Sequence, residues 1–232
     1  KRDYDFDKSV VITGNEQAQY MTVVLRALEA FEPELAHSTT HLTHGLVKLA
    51  GGAKMSSRKG NILRATDVID AAVNANKATS GKTDEPTALA AVKYAFLKNR
   101  MGGDIIYDPE ESVALEGNSG PYIQYAHARA RSVLAKASAH EAKLQDLQPG
   151  ERSLLRKIGE YSEVVNRAAQ DLMPHHICTY LYELAQVFNH FYEHNRVLGE
   201  ERQDTRLQLV QHYADTLKNG LELLNIPAPD RM

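Results

Sequence analysis

Apolar residues recur along this chain with two different periods, and the change from one to the other divides it. Near the start, Val10, Val11 and Ile12 form a β-branched run closed by Gly14-Asn15, the pattern of a short buried strand. From 17 to 31 the spacing lengthens to that of a helix, which sets Met21, Val24, Leu25, Leu28 and Phe31 on one face. Residues 41–47 read as a second strand. Strand, glycine turn and helix N-terminus make half of a nucleotide-binding α/β unit, with polar groups gathered at the carboxyl end of the strand.

Further along, the pattern becomes wholly helical. Thr66-Asp67 supplies a cap for a helix reaching about residue 77, with Ile69, Ala72 and Val73 inward. Residues 78–85 are a polar break, and Pro86 suits the first turn of a helix carrying Leu89, Val92, Phe96 and Asn99 on successive turns. Residues 104–109 are extended and end at proline. The cluster Gly117-Asn118-Ser119-Gly120-Pro121 opens a helix from 122 to about 139, with Tyr122, Tyr125, Arg129 and Val133 along one stripe. Three more helices are predicted. Leu155, Ile158, Val165, Ala168 and Leu172 mark one that stops before Pro174; Ile177, Leu181, Leu184, Phe188 and Phe191 mark the next. Leu207, Val210, Ala214, Leu217, Leu221 and Leu224 alternate threes and fours, the stripe of a bundle helix. The expected fold is mixed: an α/β part over 1–66, a helical connector over 67–116 and an all-α bundle over 117–232.

Composition narrows the function classes. A net charge of −3 predicts no general affinity for nucleic acid, so binding of that kind would use local patches. Cys178 is the one cysteine of the 232 residues, which excludes an internal disulfide and suits a reducing compartment; its apolar helical setting predicts buried packing. No apolar run approaches the roughly 18 residues of a membrane span. The first residues, Lys1-Arg2-Asp3-Tyr4, show no signal-peptide pattern and no initiator methionine, and read as a cut inside a longer protein.

One stretch carries concentrated chemistry. Lys54-Met55-Ser56-Ser57-Arg58-Lys59-Gly60 places three cations, two hydroxyls and a glycine just after Gly51-Gly52. Cations neutralise phosphate charge, a guanidinium binds it through two parallel hydrogen bonds, and serines and backbone amides add donors without bulk. A solvated basic loop is the plain alternative. His190-Phe191-Tyr192-Glu193-His194 has the order of an inverted zinc metalloprotease motif, so a zinc hydrolase using His190, Glu193 and His194 is a remote competing chemistry. His37, His41 and His44 lack a cysteine or carboxylate to complete a tetrahedral set, and His37 reads as a strand-surface histidine. No metal site is expected.

The order Lys54-Met55-Ser56-Ser57-Arg58 resembles the "KMSKS" signature of class I aminoacyl-tRNA synthetases in its arginyl-tRNA synthetase form, with Ser57 in place of the second lysine and Arg58 in place of the final serine. Gly14-Asn15-Glu16-Gln17 with Tyr20 looks like that family's "GxEQxxY/H" segment, and residues 41–47 look like its "HxxFGxV" run with His44 at the aromatic position. Ala91-Val92-Lys93-Tyr94-Ala95-Phe96-Leu97, residues 118–129, residues 180–192 and the final Ile226-Pro227-Ala228-Pro229-Asp230-Arg231-Met232 extend the likeness along nearly the whole chain. The resemblance implies the C-terminal part of a Rossmann-type class I catalytic domain followed by an anticodon-binding bundle, with the half carrying the "HIGH" signature absent. It implies a cytoplasmic, monomeric arginine–tRNA ligase acting on L-arginine, ATP as its magnesium complex and an arginine-specific tRNA, without a tightly bound cofactor or a membrane. Lys54, Ser56, Ser57 and Arg58 are then the catalytic candidates. Gln17, His41, His44, Gly45, Val47, Met55 and Lys59 border ATP or the adenylate, and Tyr122, Tyr125 and Arg129 meet tRNA. Alone, the chain is expected to be catalytically inactive, a tRNA anticodon-binding module.

Overall fold

Strands β1 (Ser9–Gly14) and β2 (Thr39–His44) pair in parallel, from Ser9 opposite Thr39 to Gly14 opposite His44. Parallel neighbours need a crossover connection. Here it is a 3-10 turn (Asn15–Gln17), helix α1 (Ala18–Phe31) and the short α2 (Pro33–Ser38). A second parallel pair joins β3 (Val47–Leu49) to β4 (Ile105–Tyr107). The computed structural model describes residues 4–50, 64–81, 85–137 and 146–232. These divide into two compact units: residues up to 50 with Asn99–Tyr107, and residues 64–98 with Asp108–Met232.

In the first unit, several sequence expectations are corrected. The single strand predicted over 41–47 is two strands in different sheets, because the chain breaks at Gly45-Leu46. A Cβ on Gly45 would lie 2.3 Å from the Gly103 carbonyl oxygen, an approach that only glycine permits. Strand β1 was expected to be buried, yet Val10 and Ile12 are 41% and 58% exposed. Burying a parallel strand requires neighbours and helices on both faces, and among the described residues β2 is its one partner. On α1, Met21, Val24, Leu25 and Leu28 are half-buried as a face, but Phe31 is 82% exposed. It is the last residue of the helix, and Glu32 (φ −140°, ψ 72°) turns the chain into α2 at Pro33. His37 is a helix residue rather than a strand one; its Nδ1 donates to the Pro33 carbonyl at 2.6 Å.

The second unit is helical. Helix α3 (Ala65–Ser80) starts with the Arg64 amide donating to the Asp67 carboxylate at 2.8 Å, so Asp67 acts from the first turn rather than as the cap. Its end is set by Gly81 in the left-handed region (φ 72°). Helix α4 (Glu85–Leu97) buries Ala88, Ala90, Ala91, Val92 and Tyr94, while Leu89 is displaced to the outside. Asp108 caps the short α5 (Pro109–Val113), accepting from the Glu110 and Glu111 amides, and Ser119 caps α6 (Gly120–Ala135), accepting from the Tyr122 amide at 3.1 Å.

The helix predicted from Leu155 to Leu172 is two helices, α7 (Pro149–Gly159) and α8 (Tyr161–Asp171). Side chains hold the break. The Tyr180 hydroxyl donates to the Lys157 carbonyl at 2.9 Å, and Lys157 Nζ reaches Glu160 at 2.7 Å and Glu183 at 2.6 Å. The hydroxyl gives last-turn carbonyls of α7 a donor that a helix end otherwise lacks, and the lysine ties the junction to Glu183. Helices α9 (His175–His194) and α10 (Gln203–Leu223) complete the bundle. Phe188 and Phe191 are core as expected, and Phe188 stacks on Tyr213 with centroids 3.8 Å apart and planes 10° from parallel. All six residues of the predicted α10 stripe are buried. Each large one contributes roughly 1.5–3 kcal/mol of burial free energy. Cys178 is buried and its thiol is pushed up to about 12 by that burial, so it is packing and not a nucleophile.

Candidate functional site

Two motif segments meet at the carboxyl ends of β1 and β2, where Gly14 lies opposite His44. Ligands of open α/β sheets bind in that position. Beyond β1 the 3-10 turn delivers Gln17, solvent-exposed, to the cap position of α1. Beyond β2, exposed His44 closes on its own neighbourhood, Nδ1 donating to the Gly45 carbonyl at 2.9 Å. Gly45 and Val47 are half-buried at the passage from β2 to β3. His41 sits further back in β2, and its Nε2 is 2.9 Å from Thr13 Oγ1 on β1, a bond between the two strands. The structure therefore brings Gln17, His44 and Gly45 to one end of the parallel pair and gives His41 a partner within it. Lys54, Met55, Ser56, Ser57, Arg58 and Lys59 lie outside the described residues.

Sequence reading missed the groups that hold this end of the first unit. The Asn15 side-chain amide donates to the Gly102 carbonyl at 2.8 Å. Asp104 accepts from the Leu46 amide at 2.8 Å and from Lys48 Nζ at 2.5 Å. These hydrogen bonds, from Lys48 first and from Leu46 second, hold the Asp104 carboxyl below its ordinary value. No spacing rule links residues this far apart in the chain.

On the second unit, α6 carries the other predicted set. Tyr122 is half-buried. Its hydroxyl accepts from Asn189 Nδ2 at 2.9 Å and its ring centre is 5.7 Å from that of Tyr182. Burial raises its phenol above the usual value, against the lowering effect of the Asn189 hydrogen bond. Tyr125 is 46% exposed, and the Arg129 guanidinium lies 4.6 Å from the centre of the Tyr192 ring. The structure thus adds Tyr182, Asn189 and Tyr192 of α9 to the α6 residues. Their spacing of seven and three along one helix was the available signal. The zinc alternative gains nothing: His194 Nδ1 donates to the His190 carbonyl at 2.8 Å, and among the described residues no group of three or more His, Cys, Asp or Glu could hold a metal. Nor is any described helix long and apolar enough to cross a membrane.

Comparison with known proteins resolves the class. Residues 1–108 match the family model for the catalytic domain of class I tRNA synthetases (R), and residues 123–232 match the DALR anticodon binding domain. Those two domains in that order define a class I aminoacyl-tRNA synthetase architecture. An arginine–tRNA ligase of Streptococcus agalactiae serotype III is 35% identical over 249 residues, covering 100% of this chain and 44% of the relative. One from Bacteroides fragilis is 34% identical over 254 residues, covering 99% and 42%. The Thermus thermophilus arginyl-tRNA synthetase structure superposes with a TM-score of 0.87 at 30% identity, over 97% of this chain and 41% of that one. The Plasmodium falciparum arginyl-tRNA synthetase, at 20% identity and a TM-score of 0.81, shares the fold. The chain belongs to the arginyl-tRNA synthetase family, and it spans less than half the length of the curated relatives it matches.

Proposed function

We propose that this chain is part of an arginine–tRNA ligase that activates L-arginine with ATP and transfers it to the 3′ end of an arginine-specific tRNA. The observation that carries the reading is the pairing of Gly14 with His44, which sets the Gln17 turn beside Gly45 at the carboxyl end of a parallel sheet. In this scheme the arginine carboxylate attacks the α-phosphate, forming the adenylate's acyl–phosphate bond, and pyrophosphate leaves. No protein nucleophile is needed, so the protein positions the reactants and stabilises phosphate charge. Lys54 is assigned as the main transition-state cation. Ser56 and Ser57 shape the loop, while Arg58, Met55 and Lys59 complete the nucleotide and pyrophosphate contacts. Gln17 faces arginine or the adenylate, and His41, His44, Gly45 and Val47 form the adenine side. ATP is taken as its magnesium complex.

In the second unit, exposed Tyr125 offers a stacking face, and the same helix carries Tyr122, packed on Tyr182, and Arg129, set over Tyr192. That set suits splayed single-stranded bases and the phosphates between them. We assign the working enzyme as a cytoplasmic monomer, a setting consistent with the lone buried cysteine. Separated from the rest of the synthetase, the chain acts as an inactive anticodon-binding module, a second reading motivated by the absence of the "HIGH" signature from its sequence.

Titrating the chain with an arginine-specific tRNA transcript and an anticodon-swapped one, at two salt concentrations, tests the RNA assignment. Phosphate contacts alone give affinity without discrimination. Tighter cognate binding at both salts is expected; equal binding that vanishes with salt would remove the anticodon assignment. In the full-length synthetase, Lys54→Ala should slow arginine activation by about 100-fold or more, as loss of a preorganised transition-state charge does; near-normal single-turnover activation would refute its role.

A further inference from the structure

The carboxyl end of the β1–β2 pair is backed by one short segment, Gly102-Gly103-Asp104, which returns to the first unit just before β4. It touches each motif in turn. Gly102 accepts from the side chain of Asn15, in the turn after β1. Gly103 lies so close to Gly45 that a Cβ there would be 2.3 Å from its carbonyl oxygen. Asp104 takes the Leu46 amide on Oδ1 and the Lys48 ammonium on Oδ2, and the Ile105 amide returns a bond to the Leu46 carbonyl at 2.8 Å. Leu46 therefore has both backbone groups fixed by Asp104-Ile105, at the residue where the chain leaves one two-stranded sheet for the other.

A passage between two small sheets has few neighbours of its own to define it. Leu46 is 61% exposed, so apolar packing does not hold it. Directional polar bonds must, and the carboxylate supplies two at once, one from a charged donor. What this fixes is the backbone of Gly45 to Lys48, the stretch assigned above to the adenine side, immediately before the basic loop in sequence. Lys48 is itself a cation, six residues before Lys54 in the sequence. Pairing with Asp104 directs its ammonium to the support rather than to the nucleotide.

We propose that Asp104 is a positioning residue for nucleotide binding, acting through Leu46 and Lys48 without touching substrate. This rests on the synthetase reading. Adenine recognition by a strand-end backbone depends on fixed geometry, and a misplacement of about 1 Å is enough to lower the rate substantially. Arginine recognition, assigned to the Gln17 turn, leans on the same segment only through Asn15.

The experiment measures arginine-dependent ATP–pyrophosphate exchange by the full-length synthetase, with tRNA present, for Asp104→Ala, Asp104→Asn and Lys48→Met. Asp104→Ala removes both bonds and should raise KM for ATP by about tenfold, the scale of one or two hydrogen bonds. Asp104→Asn keeps an acceptor for the Leu46 amide and should recover most of that loss, and Lys48→Met should resemble Asp104→Asn. The arginine KM and the melting temperature should stay at the unsubstituted values in all three. An unchanged ATP KM in Asp104→Ala overturns the inference alone. So does a parallel rise in both KM values with a lowered melting temperature, which is the mark of general loosening. No exchange by the unsubstituted protein would overturn the synthetase reading, and this inference with it.

Discussion

Arg202 Nη2 lies 2.6 Å from Oε2 of Glu151, a carboxylate with no side-chain exposure. Arg206 Nε reaches the other oxygen at 3.0 Å, and the Gln148 amide donates to Oε2 at 2.9 Å. One buried charge therefore joins the first turn of α7 to the first turn of α10. Burial alone would raise this carboxyl, but the Arg202, Gln148 and Arg206 hydrogen bonds outweigh it and lower the pKa to about 2. An unfolded glutamate titrates near 4.3, so the folded state binds fewer protons between the two values. The contribution is present above about 4.3 and is lost as pH falls toward 2; it amounts to roughly 3 kcal/mol at neutral pH. Glu151→Gln leaves two arginines short of a counter-charge and should destabilise the bundle by about 3 kcal/mol in urea unfolding at pH 7. It should also flatten the acid limb of the stability curve. An acid limb unchanged in Glu151→Gln would show that another carboxylate is responsible.

The Tyr94 hydroxyl, fully buried, is 2.7 Å from Asn118 Oδ1 and 3.0 Å from the Cys178 carbonyl oxygen. It ties α4 to the turn before α6 and to α9. Tyr94→Phe keeps the ring and deletes these bonds, leaving buried acceptors short of a donor. The expected loss is about 1–2 kcal/mol, read as a lower urea midpoint with an unchanged slope. The control Tyr125→Phe, at an exposed ring, should stay within about 0.5 kcal/mol. Equal effects from the two would mean the Tyr94 hydroxyl is not a structural tie.

His127 faces the segment after α10. Its Nδ1 donates to the Pro229 carbonyl at 2.9 Å, next to Gln124 Nε2 on the Pro227 carbonyl at 2.7 Å and Arg131 on Asp230 at 3.0 Å. Burial lowers its pKa, helped by Arg131 and Lys218 and opposed by the Pro229 bond and Asp230. A histidine with a depressed folded pKa stabilises above its unfolded value, near 6.5, and loses that contribution as pH falls through the folded pKa. Melting should therefore decline from pH 7.5 to 5.5. His127→Asn can still donate to Pro229 and does not titrate, so it should melt with less dependence on pH over this range. An identical slope in that variant would exclude His127 as its source.

Helix periodicity carried the last two bundle helices well because each shows one apolar stripe to the core, whereas on α7 Leu155, read as inward, is 40% exposed and its neighbour Leu154 is buried instead. The Leu207-to-Leu224 stripe and the Ile177-to-Phe191 stripe are buried as read. Where a local bond rather than a stripe decides, the reading failed. The break between α7 and α8 depends on Tyr180 and Lys157 contacts from outside the pattern. The split of residues 41–47 depends on Gly103, almost sixty residues away. Strand β1 reads as buried because β-branching reports which residues suit a sheet, not how many strands flank it; among the described residues β2 is its one neighbour, and Val10 and Ile12 are exposed. The candidate site was legible as motifs, Gly14 to Gln17 and His41 to Val47, while its supports, Asp104 and Lys48, are long-range pairs with no signature in a single sequence.

Tyr122 and Tyr125 share a helix face in sequence but differ in the fold. Tyr122 is engaged by Asn189 and Tyr182, whereas Tyr125 is 46% exposed. Truncating the packed ring, Tyr122→Ala, should cost about 3 kcal/mol of stability, near the lower end for buried aromatics. Tyr125→Ala should leave the melting temperature nearly unchanged and, on the anticodon reading, weaken cognate tRNA binding by about tenfold, the loss of one stacked base. Stability by urea titration and affinity by filter binding separate the two effects. Loss of affinity in Tyr122→Ala at a temperature where that variant is fully folded, with none in Tyr125→Ala, would move the stacking surface to the α9 side of the cluster, to Tyr182 and Tyr192.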